Sequence, residues 1–138
     1  MDSGAYSTVH KGQFFYDDVA IKVLNLENME TKTIINVVKE IILLARVRHP
    51  NILNVFAVSF AKQEIYIITE YFENKSLQIF MNLNRNKLKK INKIKILFDV
   101  AKAINYLHSL PKPIIHCDIK PHNVLIDKHL RAKIGDFG

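Results

Sequence analysis

Cysteine is nearly absent from this sequence of 138 residues, because Cys117 is the only one. A single cysteine cannot form an internal disulfide, which is typical of proteins in a reducing compartment. Long apolar runs are also missing: Ile41–Ala45 is among the longest, far short of the roughly 18 residues that a membrane span needs. The first residues, Met1–Gly4, lack the basic and apolar regions of a signal peptide. We therefore expect a cytoplasmic, intracellular protein without a membrane span.

Arginine is scarce as well, because only four of the 20 Lys+Arg residues are arginine. With 13 Asp+Glu the formal net charge is +7, which raises the alternative of a nucleic-acid or anionic-membrane binder. Lysine, isoleucine and asparagine together make up about a third of the chain, as an AT-rich coding sequence would produce. The densest basic stretch, residues 85–93, has no interleaved aromatic side chain to stack on bases. We interpret it as solvated surface and expect no specific nucleic-acid partner.

The sequence is rich in apolar segments of strand-like or helix-like pattern, with 49% hydrophobic and 24% charged residues. Four runs rich in Val, Ile and Phe predict strands at Thr8–Phe15, Asp18–Leu24, Val55–Phe60 and Glu64–Tyr71. An apolar stripe of helical period predicts a helix over Thr31–Arg48, which Pro50 ends because the residue before a proline is pushed out of the helical conformation.

Helices dominate the second half of the predicted element order. Ser76 is predicted to cap a short helix that reaches Leu83, and Asn92 is predicted to cap a longer one that Pro111 and Pro113 close. The apolar face predicted for the longer helix is Ile94, Leu97, Phe98, Ala101, Ile104 and Leu107. A small hairpin of Asn123–Ile126 and Lys133–Ile134 follows. A sheet with one helix, followed by a helical region, indicates an α+β fold in two parts.

A lysine within an apolar strand is the first chemical signal. Lys22 ends the segment Val19–Lys22, and burying its charge costs free energy unless a partner is present. Glu40 lies at the edge of the apolar stripe of the predicted helix, where it could pair with Lys22. The alternative is that both are ordinary surface residues.

A polar loop between apolar triplets is the second signal. Asp118, Lys120 and Asn123 follow each other at steps of two and three residues around Pro121, and Asp136 follows a predicted strand. Two carboxylates and an amide from adjacent loops suit a hard divalent cation with oxygen ligands.

In their order and spacing, four segments resemble the signature motifs of protein kinases: Val19–Lys22, Glu40, the His116–Asn123 loop and Asp136–Gly138. The resemblance extends over essentially the whole chain. It implies a kinase-like α+β fold with a five-stranded antiparallel small lobe and one helix over residues 1–71. Residues 72–138 would form the hinge and the truncated first part of the helical large lobe.

The resemblance also implies the transfer of the ATP γ-phosphate to a hydroxyl of a protein substrate. Lys22 would hold the α- and β-phosphates and pair with Glu40. Asp118 would accept the proton of the substrate hydroxyl, and Lys120 would steady the γ-phosphate. The segment Asp118-Ile119-Lys120 favours serine or threonine over tyrosine as the acceptor, whereas Ile65–Leu77 resembles the corresponding segment of tyrosine kinases. Together they imply the tyrosine-kinase-like group, with serine or threonine as the expected acceptor.

The cofactor site implied by the resemblance binds ATP with Mg²⁺. Asn123 and Asp136 would be the metal ligands. The other nucleotide-binding residues would be Gly4 in the Gly-rich loop, Val9 and Ala20 above the base, the gatekeeper Thr69, and the backbones of Glu70 and Phe72.

Three departures from the kinase pattern qualify this expectation. Asp2 and Ser7 stand where the Gly-rich loop should have glycines, and Cys117 replaces the arginine that often holds an activation-segment phosphate. The sequence stops just after Asp136–Gly138, so we expect a fragment with little catalysis of its own. The apolar face around Leu97 would then be exposed and would lead to association or to poor stability. The alternative from another class is a non-catalytic nucleotide-binding pseudokinase or a partner-binding truncated kinase.

Overall fold

The computed structural model describes residues 7–84 and 88–135. Two predicted site residues lie outside this range. They are Gly4, with the other residues of the predicted Gly-rich loop before Ser7, and Asp136. The helices and strands in chain order are β1 (Ser7–Phe14), β2 (Asp17–Asn25), α1 (Thr31–Arg46), β3 (Val55–Ala61), β4 (Glu64–Glu70), α2 (Leu77–Leu83), α3 (Lys90–Ser109), β5 (Val124–Ile126) and β6 (Ala132–Ile134). A 3-10 turn over Pro121–Asn123 precedes β5. The α+β class is confirmed.

The larger sheet contains four antiparallel strands in the order β1-β2-β4-β3 among the described residues. The expectation of five strands is therefore not met there: the apolar pattern predicted four, and the fifth came only from the family resemblance. Strand β2 is central and rich in β-branched residues, and its Val19 is fully buried. The hairpin β1–β2 turns at Phe15, which adopts a φ of 55° and is exposed.

Helix α1 ends at Arg46, two residues before the predicted end at Arg48. Val47 already has extended backbone, with φ −75° and ψ 132°, and its N–H donates to the carbonyl of Leu44. The side chain of Val47 is 6% exposed, so burial of this residue ends the helix before Pro50 can.

The second half of the chain contains helices α2 and α3. The predicted cap of α2 is confirmed, because Ser76 Oγ accepts a hydrogen bond from the N–H of Ile79 at 3.4 Å. The predicted cap of α3 is wrong: the helix begins at Lys90, with Lys89 as the N-cap residue and no side-chain cap, so Asn92 lies inside it.

The buried side of α3 also differs from the predicted apolar face. The fully buried residues are Ile96, Asp99, Ala103 and Leu107, whereas Leu97 and Phe98 are 67% and 64% exposed. Only Leu107 of the predicted face is buried. The face was assigned by counting apolar side chains, and a buried Asp99 falls outside such a count.

The chain divides into two compact units. One holds the described residues up to Val47 together with Asn54–Tyr71, and its core includes Val19, Ile41 and Ile65. The other holds Arg48–Leu53 together with the described residues from Phe72 onward.

In the second unit, the segment Arg48–Leu53 runs alongside β6. The N–H of Ile134 donates to the carbonyl of Asn51 at 2.9 Å, and the N–H of Leu53 donates to the carbonyl of Ile134 at 2.8 Å. The side chain of Asn51 is 2% exposed and donates to the carbonyl of Ala132. These bonds satisfy polar groups around the buried residues Asn51 and Ile52 in a segment that belongs to no helix or strand. Within the described residues, no helix has the length and apolar character needed to cross a membrane.

Candidate active site

The second unit brings three predicted site residues together in one loop: Asp118, Lys120 and Asn123. Pro121 begins the 3-10 turn that ends at Asn123, and proline suits this first position because its φ is already fixed. The turn is closed by the N–H of Asn123, which donates to the carbonyl of Lys120 at 2.9 Å. This local geometry returns the Asn123 side chain toward Asp118.

The carboxylate of Asp118 is the centre of this cluster. Its Oδ2 lies 2.7 Å from Nζ of Lys120 and accepts a hydrogen bond from Nδ2 of Asn123 at 2.8 Å. The same Asn123 nitrogen donates to the main-chain oxygen of Asp118 at 2.9 Å. The hydrogen bond from Lys120 lowers the pKa of Asp118, and that from Asn123 adds to the lowering against the opposite effect of burial. Asp118 is therefore a carboxylate at neutral pH.

His116 connects this loop to the end of β6. The side chain is 4% exposed, and its Nε2 lies 3.0 Å from the carbonyl oxygen of Gly135. Its Nδ1 accepts a hydrogen bond from the N–H of Asp118 at 3.3 Å. A carbonyl can only accept and an amide N–H can only donate, so Nε2 is the donor and Nδ1 the acceptor in these two bonds. The N–H of Gly135 in turn donates to the carbonyl of Asn123 at 2.9 Å.

Cys117 lies between His116 and Asp118 with a φ of 64°, in the left-handed region that non-glycine residues rarely adopt. Its thiol is exposed, and Sγ lies 3.5 Å from the carbonyl oxygen of Ile115. This left-handed residue turns the chain between His116 and Asp118, whose N–H bonds to the His116 ring.

The first unit aligns four other predicted residues on one face of its sheet. Val9 pairs directly with Lys22, and Ala20 pairs directly with Thr69. Directly opposed residues of an antiparallel pair share a face, as do residues two apart in one strand. Val9, Ala20, Lys22 and Thr69 therefore point to the same side. Glu40 lies on α1 in this unit, and its pairing with Lys22 stays a prediction.

Two bonds to Asn54 fix the main chain after Thr69. The carboxylate of Glu70 accepts from the N–H of Asn54 at 2.7 Å, and the N–H of Glu70 donates to the carbonyl of Asn54 at 3.3 Å. The Glu70 carbonyl is approached by Oγ1 of the buried Thr69 at 3.3 Å. In the second unit, the buried ring of Phe72 lies 6.0 Å from Nζ of Lys133.

Sequence reasoning missed one buried ionic cluster in the second unit. Asp99 on α3 is 3% exposed and accepts from both Nε and Nη2 of Arg131, from the N–H of Ala132 and from Lys102. Burial alone would raise the pKa of Asp99, but these bonds together lower it to about 2. The signal in the sequence was an acidic residue at helical spacing from Ile96 and Ala103.

The residues described are compatible with magnesium as the resemblance implies. Both printed hydrogen bonds from Asn123 to Asp118 use the amide nitrogen, and the side chain also carries an amide oxygen. Magnesium prefers oxygen ligands of this kind. Asp136, the second expected ligand, lies outside the described residues. Among residues 7–84 and 88–135, no group of three or more His, Cys, Asp or Glu side chains could hold a metal ion by itself.

The α+β fold and the Asp118 loop are those expected of a protein kinase, and comparison with protein families gives the same class. Residues 1–138 match the family described as protein tyrosine and serine/threonine kinase. The chain belongs to this protein kinase family.

Three relatives that the chain resembles are named as serine/threonine-protein kinases. The chain is 42% identical over 135 residues to a protein of Acanthamoeba polyphaga mimivirus named as a serine/threonine-protein kinase/receptor, a match that covers 98% of this chain and 8% of that protein. It is 33% identical to the serine/threonine-protein kinase CTR1 of Arabidopsis thaliana, over 99% of this chain and 17% of that protein. It is 30% identical to the serine/threonine-protein kinase STY17 of the same plant, over 98% of this chain and 23% of that protein. The chain thus spans less than a quarter of the length of these relatives.

Proposed function

We propose that this chain carries the nucleotide-binding and phosphotransfer residues of a serine/threonine protein kinase. The observation that carries the proposal is the cluster of Asp118, Lys120 and Asn123, in which one carboxylate is held by a cation and an amide within 2.8 Å. Phosphoryl transfer needs positioned charge more than covalent chemistry, and this cluster provides it. The names of the relatives and the presence of Lys120 favour serine or threonine as the acceptor.

In the proposed reaction, the oxygen of a protein hydroxyl forms a bond to the γ-phosphorus of ATP. The bond between that phosphorus and the β,γ-bridging oxygen breaks, and ADP leaves with the electron pair. Asp118 accepts the hydroxyl proton as the new bond forms. Its lowered pKa keeps it ionised, so it orients the hydroxyl through a hydrogen bond before the transfer. Lys120 neutralises charge on the transferring phosphoryl group.

The remaining proposed roles concern the nucleotide and its metal. Magnesium, when bound, would neutralise charge on the β- and γ-phosphate oxygens, and Asn123 and Asp136 would hold it. Lys22 would bind the α- and β-phosphates, with Glu40 as its partner. The adenine would contact Val9, Ala20 and Thr69, bond to the backbones of Glu70 and Phe72, and lie under the loop of Gly4. We propose residues 1–71 as the small lobe and 72–138 as the hinge and first part of the large lobe.

Nucleotide binding and phosphotransfer are tested separately. Fluorescent ATP should bind the purified chain in a magnesium-dependent manner, and Lys22→Ala should weaken that binding at least tenfold, because the lysine is proposed to contact two phosphates. The matched control is Lys39→Ala, since Lys39 is an exposed lysine of α1. Equal affinity of wild type and Lys22→Ala would contradict the assigned role of Lys22.

Phosphotransfer is measured as incorporation of the γ-phosphate into a mixture of serine and threonine peptides. Asp118→Asn should abolish any incorporation that the wild-type chain supports, whereas the exposed Asp17→Asn should not change it. Incorporation that survives Asp118→Asn would remove Asp118 from the mechanism.

A second candidate function is a partner-binding module, and the exposed face of α3 favours it. Leu97 and Phe98 are both more than 60% exposed within the described residues, and contiguous exposed apolar surface marks interaction sites. A pseudokinase would combine this binding with magnesium-dependent ATP binding and no phosphotransfer. The two assays above separate the candidates, because only the enzyme loses incorporation with Asp118→Asn.

A further inference from the structure

Lys11 on β1 contacts a carboxylate and an aromatic ring, and no predicted role uses these contacts. Its Nζ lies 2.7 Å from Oδ2 of Asp18 and 4.7 Å from the centroid of the Tyr71 ring. Lys11 and Asp18 belong to the hairpin β1–β2, whereas Tyr71 directly follows β4. The lysine therefore bridges the hairpin and the segment after Thr69, and all three residues belong to the first unit.

The register of the sheet places Lys11 on the proposed nucleotide-binding face. Lys11 pairs directly with Ala20, which in turn pairs directly with Thr69. Val9 lies two residues before Lys11 in the same strand. Because paired residues and residues two apart share a face, Lys11 lies on the same side as Val9, Ala20 and Thr69.

The ion pair alone would not give Lys11 a role. The side chains of Lys11 and Asp18 are 53% and 48% exposed, and such surface pairs contribute little to stability. The contact with Tyr71 is different because of what it connects: it is an attraction between the hairpin and the residue that directly follows β4. Asp18 orients the lysine toward the ring, and the ring belongs to the residue between Glu70 and Phe72.

We propose that Lys11 is a positioning residue for the adenine end of the nucleotide site. By holding Tyr71, it fixes the main chain between Glu70 and Phe72, whose backbone groups are proposed to bond the base. This inference rests on the proposed function. It predicts that Lys11 affects the binding of the nucleoside part of the ligand and not the binding of its phosphates.

The test measures dissociation constants of adenosine and of ATP with magnesium for a set of variants. Lys11→Met removes the charge and keeps most of the side chain, and it should weaken both ligands by the same factor of about two to five. Lys11→Arg and Tyr71→Phe keep a cation and a ring, so both should bind within about twofold of wild type. The control Lys39→Met alters an exposed lysine of α1 and should change neither constant.

A double-mutant cycle isolates the contact itself. If Lys11 acts through the ring, Lys11→Met should have no further effect on adenosine binding in a Tyr71→Leu background. Additive effects of the two substitutions would overturn the inference.

The ligand comparison gives the other decisive outcomes. A loss for ATP without a loss for adenosine would mean that Lys11 acts on phosphate charge, which overturns positioning through Tyr71. Equal adenosine binding by wild type and Lys11→Met would overturn the inference and leave the proposed function intact. A wild-type chain that binds neither ligand would overturn the proposed function and the role of Lys11 together.

Discussion

Asp99 forms ion pairs with two basic side chains of the second unit, Arg131 and Lys102. Its carboxylate is almost completely buried, and such a charge would be costly without partners. Arg131 supplies a bidentate pair with distances of 2.8 and 3.0 Å, and the N–H of Ala132 and Nζ of Lys102 complete the set. Asp99 thereby ties α3 to the start of β6, whose far end leads to Gly135 and its bonds with the His116 loop.

This cluster predicts a specific pH dependence of stability. The folded pKa of about 2 lies below the ordinary 3.8, so the ionised carboxylate stabilises the folded state above pH 3.8. The contribution, about 2 kcal/mol, is lost as the pH falls from 3.8 through 2. Asp99→Asn should therefore lower the free energy of unfolding by about 2 kcal/mol at pH 7 and have a much smaller effect near pH 2.

Urea unfolding of the two proteins at pH 7, 4 and 2.5 measures this difference. Asp17→Asn alters an exposed carboxylate of the hairpin and is the control, expected to change stability by less than about 0.5 kcal/mol. A stability difference between wild type and Asp99→Asn that is the same at every pH would disprove the assignment.

At the scale of helices and strands, local patterns succeeded where the contacts are local. The strands β1 to β4 begin and end within one residue of their predicted bounds, because period-two apolar patterns and short turns determine them. Asp118 and Asn123 meet because Pro121 and one turn separate them. Bonds between distant residues were not predictable in this way: Asp99 and Arg131 are 32 residues apart.

The same distinction explains the errors at helix ends. Helix α3 has no side-chain cap at Lys89, so no residue type marks its start. Helix α1 ends at Arg46 because Val47 is buried in extended conformation, and burial of a single residue depends on the whole unit. Helix α2 was predicted correctly because Ser76 caps it by a short-range bond.

The cap of α2 gives the prediction at this scale. Ser76→Ala removes the acceptor for the N–H of Ile79, and it should lower the free energy of unfolding by about 1 kcal/mol. Ser76→Thr keeps the hydroxyl and should recover most of the loss. Because α2 contacts the turn Pro121–Asn123, amide hydrogen exchange in that turn should also accelerate in the alanine variant.

Ser109→Ala is the matched control for this substitution, since Ser109 is exposed and its hydroxyl donates to the carbonyl of Tyr106 near the end of α3. If Ser76→Ala and Ser109→Ala have the same effect on stability, the cap does not hold the helix.

For the whole molecule, the distribution of exposed apolar side chains matters more than the net charge of +7. The second unit buries one stripe of α3 and exposes another that includes Ile94, Leu97 and Phe98. Lys102 lies over the ring of Phe98, with Nζ 4.9 Å from the ring centroid. Removing such an apolar stripe from water by contact with another surface is favourable in free energy.

We therefore predict that the chain associates through α3 at micromolar concentrations. The double substitution Leu97→Glu and Phe98→Glu should shift the weight-average mass toward that of a monomer in sedimentation experiments, because carboxylates on the stripe resist burial. The control is Phe60→Glu, which alters an exposed aromatic residue of the first unit, 59% exposed, and should leave the mass unchanged. If Phe60→Glu reduces the mass as much as the double substitution does, association depends on general surface hydrophobicity. If the wild-type chain is a monomer throughout, the stripe on α3 does not drive self-association.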